Sequence, residues 1–360
     1  MRTSSRFVYV GCYTTKERDG RGEGINVYRM EPDSSTWRHV QLFGGLVNPS
    51  FLTIDRPGRF LYSVHGDGGH ASAFSIDEHS GELELLNQQS TGGQNPVHLV
   101  VDPTNQFLIV ANYGTGTVAT LPINSNGSLS SLSHLAVLRA DSDPEAPAPN
   151  GSHPHHVVFD PSGRFVVVPD KGADKVFVYQ FAAARGKLVA NDPPAAMARP
   201  GAGPRHVAFH PRLPYAYVVN ELASTITSYR FDAARGQLLP VCDVSTLPTT
   251  FTGSNTTSEI VVSPSGRFVY ASNRGHDSLA VLAIEDDGAA ITCVGWEPTQ
   301  GKTPRFFGLD PSGSLLCVAN QDSDTIVLFS MSRETGALRP TGPIVETGSP
   351  SSIAFSSIPS

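Results

Sequence analysis

The sequence predicts an all-β fold: a seven-bladed β-propeller, four antiparallel strands per blade, with the ring closed by pairing N- and C-terminal strands in one blade. Three observations predict it. A strand–turn–strand pattern recurs six times at a spacing of about 50 residues, the size of a blade. Each copy leads into an alternating third strand and a Gly-x-Leu turn that opens a fourth. The two chain ends supply the complementary halves of a seventh copy.

The hairpins span residues 51–62, 98–110, 156–168, 206–219, 259–270 and 306–318, each turning at a Pro/Gly-containing segment such as Asp160-Pro161-Ser162-Gly163. Third strands read as Val176-Phe177-Val178-Tyr179, Ile226-Thr227-Ser228-Tyr229 and Ile326-Val327-Leu328-Phe329. Gly81-Glu82-Leu83, Gly186-Lys187-Leu188, Gly236-Gln237-Leu238 and Gly336-Ala337-Leu338 mark the turns into the outermost strands. No stretch carries helical periodicity. At the C-terminus, Ile353-Ala354-Phe355 reads as a first strand with nothing after it, and Phe7-Val8-Tyr9-Val10 as a second strand with nothing before it. Pairing them removes two exposed sheet edges. With no linker or shift in composition, residues 1–360 read as one domain.

Composition limits the functions available. Hydrophobic residues are 39% and charged residues 16%, enough apolar material for a large core. The net charge of −7, with no Lys/Arg run, offers no face for nucleic acid. No segment has the length and apolarity of a signal peptide or membrane span, so no membrane partner is expected. Cys12, Cys242, Cys293 and Cys317 lack CxxC spacing, which fits reduced thiols and a cytoplasmic location. Cys12 reads as a buried thiol rather than a nucleophile. A monomer or weak homo-oligomer is expected.

The repeat also says where chemistry must sit. Residues just before each first strand and just after each second strand emerge at one mouth of the channel. The first set is Ser50, Val97, His155, Arg205, Ser258, Arg305 and Ser351; the second is His65, Tyr113, Lys171, Glu221, Arg274, Gln321 and Tyr13. One such polar residue would be an ordinary solvated turn residue, but a convergent set on a rigid scaffold is a place to build a site. Ser152-His153-Pro154-His155-His156 is the densest ionisable patch. Its His-x-His spacing has no accompanying carboxylate or cysteine set, so no metal and no cofactor are expected. His156 aligns with His98 and His206 and reads as a structural residue that opens a strand. Arg205 and Arg274 suit bidentate capture of a carboxylate or phosphate. His155 and Glu221 are both candidates for activating water.

At these residues the sequence resembles the seven-bladed propeller lactonases, chiefly the bacterial 6-phosphogluconolactonases of propeller type. A more distant resemblance is to the fungal 3-carboxy-cis,cis-muconate lactonizing enzymes. It is carried over the whole chain by Ser152-His153-Pro154-His155, Gly203-Pro204-Arg205-His206, Val219-Asn220-Glu221-Leu222 and Ser272-Asn273-Arg274-Gly275-His276-Asp277-Ser278. One departure is His156, which stands where the pattern has a small residue. The resemblance implies that His155, Arg205, Glu221 and Arg274 form the active site. His153, Lys171, Arg305, Asn273, His276 and Gln321 are the expected substrate contacts. The expected activity is hydrolysis of a small anionic sugar lactone, foremost 6-phospho-D-glucono-1,5-lactone in the pentose phosphate pathway. Alternatives are a carboxymuconate or an unphosphorylated lactone and, in another class, a non-catalytic propeller scaffold. The WD dipeptide of scaffold propellers is absent.

Overall fold

A computed structural model of the chain describes residues 6–31, 36–138, 151–285 and 287–356. Seven antiparallel sheets form a ring, each with its first strand at the channel. The innermost strand Pro49–Ile54 packs against Pro96–Val101; farther round, Pro204–Phe209 touches Thr256–Val262, which touches Pro304–Leu309. Pro304–Leu309 meets Pro350–Phe355, which returns to Pro49–Ile54.

The closing blade has the order Pro350–Phe355, Arg6–Cys12, Gly24–Met30, Trp37–Gly44. Its seam is antiparallel, with Val8 opposite Phe355, Tyr9 opposite Ala354 and Val10 opposite Ile353. The split blade read from the chain ends is therefore the observed closure.

Burial explains the strand patterns. Second strands lie between neighbouring blades and are apolar on both faces, as in Phe107–Asn112, where all but the first residue are buried. Fourth strands form the outer rim and alternate, as in Leu83–Ser90. The Asp-x-Pro and Asp-Pro turns are held by their own carboxylates. Asp55 Oδ1 accepts the Arg59 and Phe60 N–H groups at 2.7 and 2.9 Å, and Asp102, Asp160 and Asp310 repeat the arrangement.

The Gly-x-Leu glycines have a second role between blades. Gly81 has φ +79°, and a Cβ there would lie 2.3 Å from the Phe7 ring of the preceding blade. Tyr9 Oη donates to Gly81 O at 3.0 Å, so one second strand seats two aromatic side chains on the neighbouring turn. Phe268 and Tyr270 repeat this at Gly336.

Two elements differ from expectation. The inner strand predicted from His156 is regular only at Val158–Phe159, preceded by an isolated Pro154–Asp170 bridge. Pro154 has no N–H to donate, and the adjacent Ser152 and His153 turn onto the Asp170 carboxylate instead. The outer strand of the sixth full blade is split into Leu338–Pro340 and Val345–Glu346, on either side of Pro343. All four cysteines are unbonded. Among the described residues no helix is long and apolar enough to cross a membrane.

Candidate active site

Five of the seven inner strands begin at a proline (Pro49, Pro96, Pro204, Pro304 and Pro350), and the residue after it is displaced; in a sixth, Pro154 forms an isolated bridge ahead of Val158–Phe159. Pro204 pairs with Asn220 and His206 with Val219, which leaves Arg205 as a bulge. The same register shift frees Ser50, Val97, Arg305 and Ser351. A proline cannot continue the ladder, and the bulge aims the next side chain into the channel. Five residues of the first mouth set, Ser50, Val97, Arg205, Arg305 and Ser351, are therefore bulge residues. Ser50, Val97, His155, Arg205, Arg305 and Ser351 line one cavity together with Tyr13. Its volume, about 10 Å³, is room for a single water molecule.

Glu221 gathers the cations. Its Oε1 accepts from Lys171 Nζ at 2.7 Å and lies 3.3 Å from Arg274 Nη2. Arg205 Nε approaches Oε2 at 3.1 Å, off the N–H direction, so this contact is an ion pair rather than a hydrogen bond. Arg205 Nη1 and Arg274 Nη2 also donate to the carbonyls of Ser258 and Thr257. Burial pushes the Glu221 carboxyl up, but Arg274, Arg205 and Lys171 together outweigh it and hold the group at about 2. A carboxylate bound this firmly is a poor base. Glu221 instead positions the arginines. Burial and the adjacent Arg274 push the Arg205 guanidinium down to about 9, still charged at neutral pH.

This clamp makes a stability prediction. The folded value of about 2 lies below the ordinary 4.5. The stability Glu221 contributes is thus fully present above its ordinary value and is lost as pH falls through the folded one. Glu221→Gln leaves three cations around a neutral amide and should destabilise the protein by about 3–5 kcal/mol at pH 7. The difference between variant and wild type should shrink at pH 3. Equal denaturation midpoints at pH 7 would contradict the clamp.

His155 is buried, and its Nδ1 has no hydrogen-bond partner. Burial, then Arg205, His206 and Arg305, drive its proton affinity well below the ordinary value, so the ring is neutral. His153 stands at the rim, stacked on Tyr113 at 4.5 Å with Nδ1 2.9 Å from the Tyr113 carbonyl. The Arg305 guanidinium lies 5.0 Å from the Tyr13 ring centroid.

The other expected contacts have partners of their own. Asn273 is fully buried and its amide is taken up by Thr246, whose Oγ1 donates to Asn273 Oδ1 and whose carbonyl accepts from Nδ2. Asn112 and Asn320 likewise donate Nδ2 to the carbonyls of Thr91 and Thr299, so this asparagine ties a second strand to the end of a fourth. His276 is bonded to Ser278 Oγ at 2.6 Å and edges Phe251. Gln321 keeps the mouth position that Glu221 holds in its own blade, its N–H on Thr303 O as the Glu221 N–H is on Gly203 O, and its side-chain amide donates to Asp322. His65 is displaced by one position from the mouth set. Pro49 pairs with His65 as Pro96 pairs with Asn112, which makes His65 a buried strand-end residue held by Val47 O and Ser72. Burial pushes the Cys12 thiol up to about 11, consistent with an inert role.

Sequence reasoning missed Glu259. It lies directly after Ser258, in the column occupied by His98, His156 and His206 in three other blades, and that alignment was the available signal. These groups form a buried layer beneath the arginines. His156 stacks on His206 at 4.4 Å and meets His98 at 4.0 Å. Among the described residues, no three His, Cys, Asp or Glu side chains are arranged to hold a metal ion. A larger cleft of about 320 Å³ between two blades is lined by serines, Pro264 and Arg333 but lacks an acid–base pair. Size does not mark the site here; charge does.

Residues 7–355 match the family described as "Lactonase, 7-bladed beta-propeller". The chain belongs to the seven-bladed β-propeller lactonase family. It is 35% identical over 334 residues to a 6-phosphogluconolactonase of Bacillus subtilis, covering 92% of each chain. A 6-phosphogluconolactonase of Formosa agariphila is 31% identical over 347 residues, covering 92% of this chain and 94% of the relative. Among solved structures, the periplasmic gluconolactonase of Pseudomonas aeruginosa superposes with a TM-score of 0.88 at 31% identity, covering 99% of this chain and 100% of that one. This lactonase is a lactone hydrolase acting on a cyclic carboxylic ester.

Proposed function

We propose that the substrate is 6-phospho-D-glucono-1,5-lactone, opened by water to 6-phosphogluconate in the pentose phosphate pathway. The observation that carries this reading is the charge of the channel mouth. Arg205, Arg274, Arg305 and Lys171 are set against two carboxylates, Glu221 and the deeper Glu259, on a chain whose net charge is −7. A concave patch with at least two positive charges in excess favours an anionic substrate. The names of the bacterial relatives point the same way. Water attacks the lactone carbonyl with a neutral imidazole of the channel mouth as base, for which His155 is the candidate read from the sequence. An arginine facing the carbonyl stabilises the oxyanion, and the other cations hold the phosphate. Glu221 keeps the arginines in place. A cytoplasmic location belongs to the same reading and is supported by the four unbonded thiols.

The test is proton release measured on 6-phosphoglucono-1,5-lactone and on glucono-1,5-lactone. The phosphorylated substrate should have a kcat/KM higher by about tenfold to a hundredfold, the worth of one charge-assisted contact. Equal values would transfer the assignment to unphosphorylated lactones.

A further inference from the structure

Beneath the arginines, His206 and Glu259 form a pair that the reading above does not use. His206 Nδ1 lies 2.8 Å from Glu259 Oε1, and that oxygen also accepts the Ile260 N–H at 3.0 Å. Both side chains are buried, 2% and 6% exposed, and both line the water-sized cavity. His206 Nε2 has no hydrogen-bond partner. A carboxylate on Nδ1 fixes the tautomer and leaves Nε2 as an acceptor, which is how an imidazole base is oriented. His155 has no such carboxylate partner, its Nδ1 being unpaired.

We propose that His206 is the general base of the lactonase, that Glu259 is its positioning residue, and that the water they activate occupies the cavity under Arg205 and Arg305. This rests on the lactonase reading and replaces His155 as the proton acceptor. His206 Nε2 takes a proton from water as the water oxygen bonds to the lactone carbonyl carbon. The carbonyl π pair moves onto its oxygen, which faces the guanidinium groups. The intermediate collapses by breaking the ring C–O bond, and the departing alkoxide takes the proton back from His206. The pair ends as it began, and one water has been consumed.

The electrostatics set the protonation state of the pair. Burial drives the Glu259 carboxyl up to about 7, with Arg205 and His156 opposing only in part. Burial, then Arg205 and Arg305, drive the His206 ring well below its ordinary value; Glu221 raises it and Arg274 lowers it further. His155, His156 and His98 face the same ring and are themselves driven neutral by burial. The pair therefore takes up one proton near neutrality. Above that point Glu259 is anionic and Nε2 is free, so kcat should rise with pH through about 7.

The experiment compares wild type, His206→Asn, His155→Asn, Glu259→Gln and Glu259→Asp on the best lactone. His206→Asn should lower kcat by about a hundredfold to ten-thousandfold, and more than His155→Asn does, with KM changed little. Glu259→Gln should lower kcat by about tenfold to a hundredfold and remove the rise near neutral pH, while Glu259→Asp restores part of both. Nitrogen NMR of wild type should show His206 protonated on Nδ1 at pH 8, a reading that needs no variant to fold. Wild-type activity retained by a folded His206→Asn, or a ring protonated on Nε2 at pH 8, overturns the proposal. A wild type inactive on every lactone overturns the functional reading itself.

Discussion

A chain lacking residues 351–360 is expected to lose cooperative unfolding altogether. The deletion removes the innermost strand of the closing blade and leaves Arg6–Cys12 as an open edge. It takes Ile353 and Phe355 out of a core cluster that includes Val8, Val10, Cys317 and Leu328, so two blades lose packing together. Phe355 also meets the Trp37 ring edge-on at 6.2 Å, which ties the innermost strand to the outermost one of its blade. Because each blade is stabilised by its neighbours, an open ring has no substitute for the missing contact. Thermal unfolding followed by near-ultraviolet circular dichroism reads the result directly. A truncated chain that melts like the full-length one would rule out closure by the terminal strands.

Arg205→Ala/Arg274→Ala should lower kcat/KM on the phosphorylated lactone by about a thousandfold or more, the worth of two anion contacts at about 2–4 kcal/mol each. The sequence placed both side chains in a wet funnel, where truncation would leave the fold almost untouched. The structure corrects this for Arg205, which is only 3% exposed, so its loss opens a hole beside Glu221. The double variant should therefore also lose about 2–4 kcal/mol of stability, while Lys171 continues to neutralise Glu221. Single variants separate the roles. The arginine that holds phosphate should matter less for an unphosphorylated lactone, and the one facing the carbonyl should matter equally for both. A folded double variant with wild-type kcat/KM would show that the channel mouth is not where the reaction occurs.

The blades were legible because their strand period and turn chemistry repeat, so each copy corroborates the others. The mouth was legible for the same reason: Arg205, Arg305 and Ser351 hold equivalent places in the repeat. Their bulged geometry, imposed by Pro204, Pro304 and Pro350, was visible only as an unremarked proline before each strand. His65 was misplaced by one residue: it stands at the same distance from Pro49 as Asn112 from Pro96 and Asn220 from Pro204, so Gly66 and not His65 is the mouth position of that blade. The role of Glu221 depended on how many cations reach one carboxylate, a count that needs coordinates. Asn273 stood out in a distinctive run, yet it belongs to the blade and not to the mouth. Glu259 was hidden in a column read as the plain start of a strand.

The crystal structure of the wild type with 6-phosphogluconate bound tests the central claim most directly. The product should lie over the cavity at the channel mouth, its carboxylate and phosphate each within hydrogen-bonding distance of Arg205, Arg274, Arg305 or Lys171. Product bound instead in the cleft between Pro264 and Arg333, with the mouth left to solvent, would contradict it.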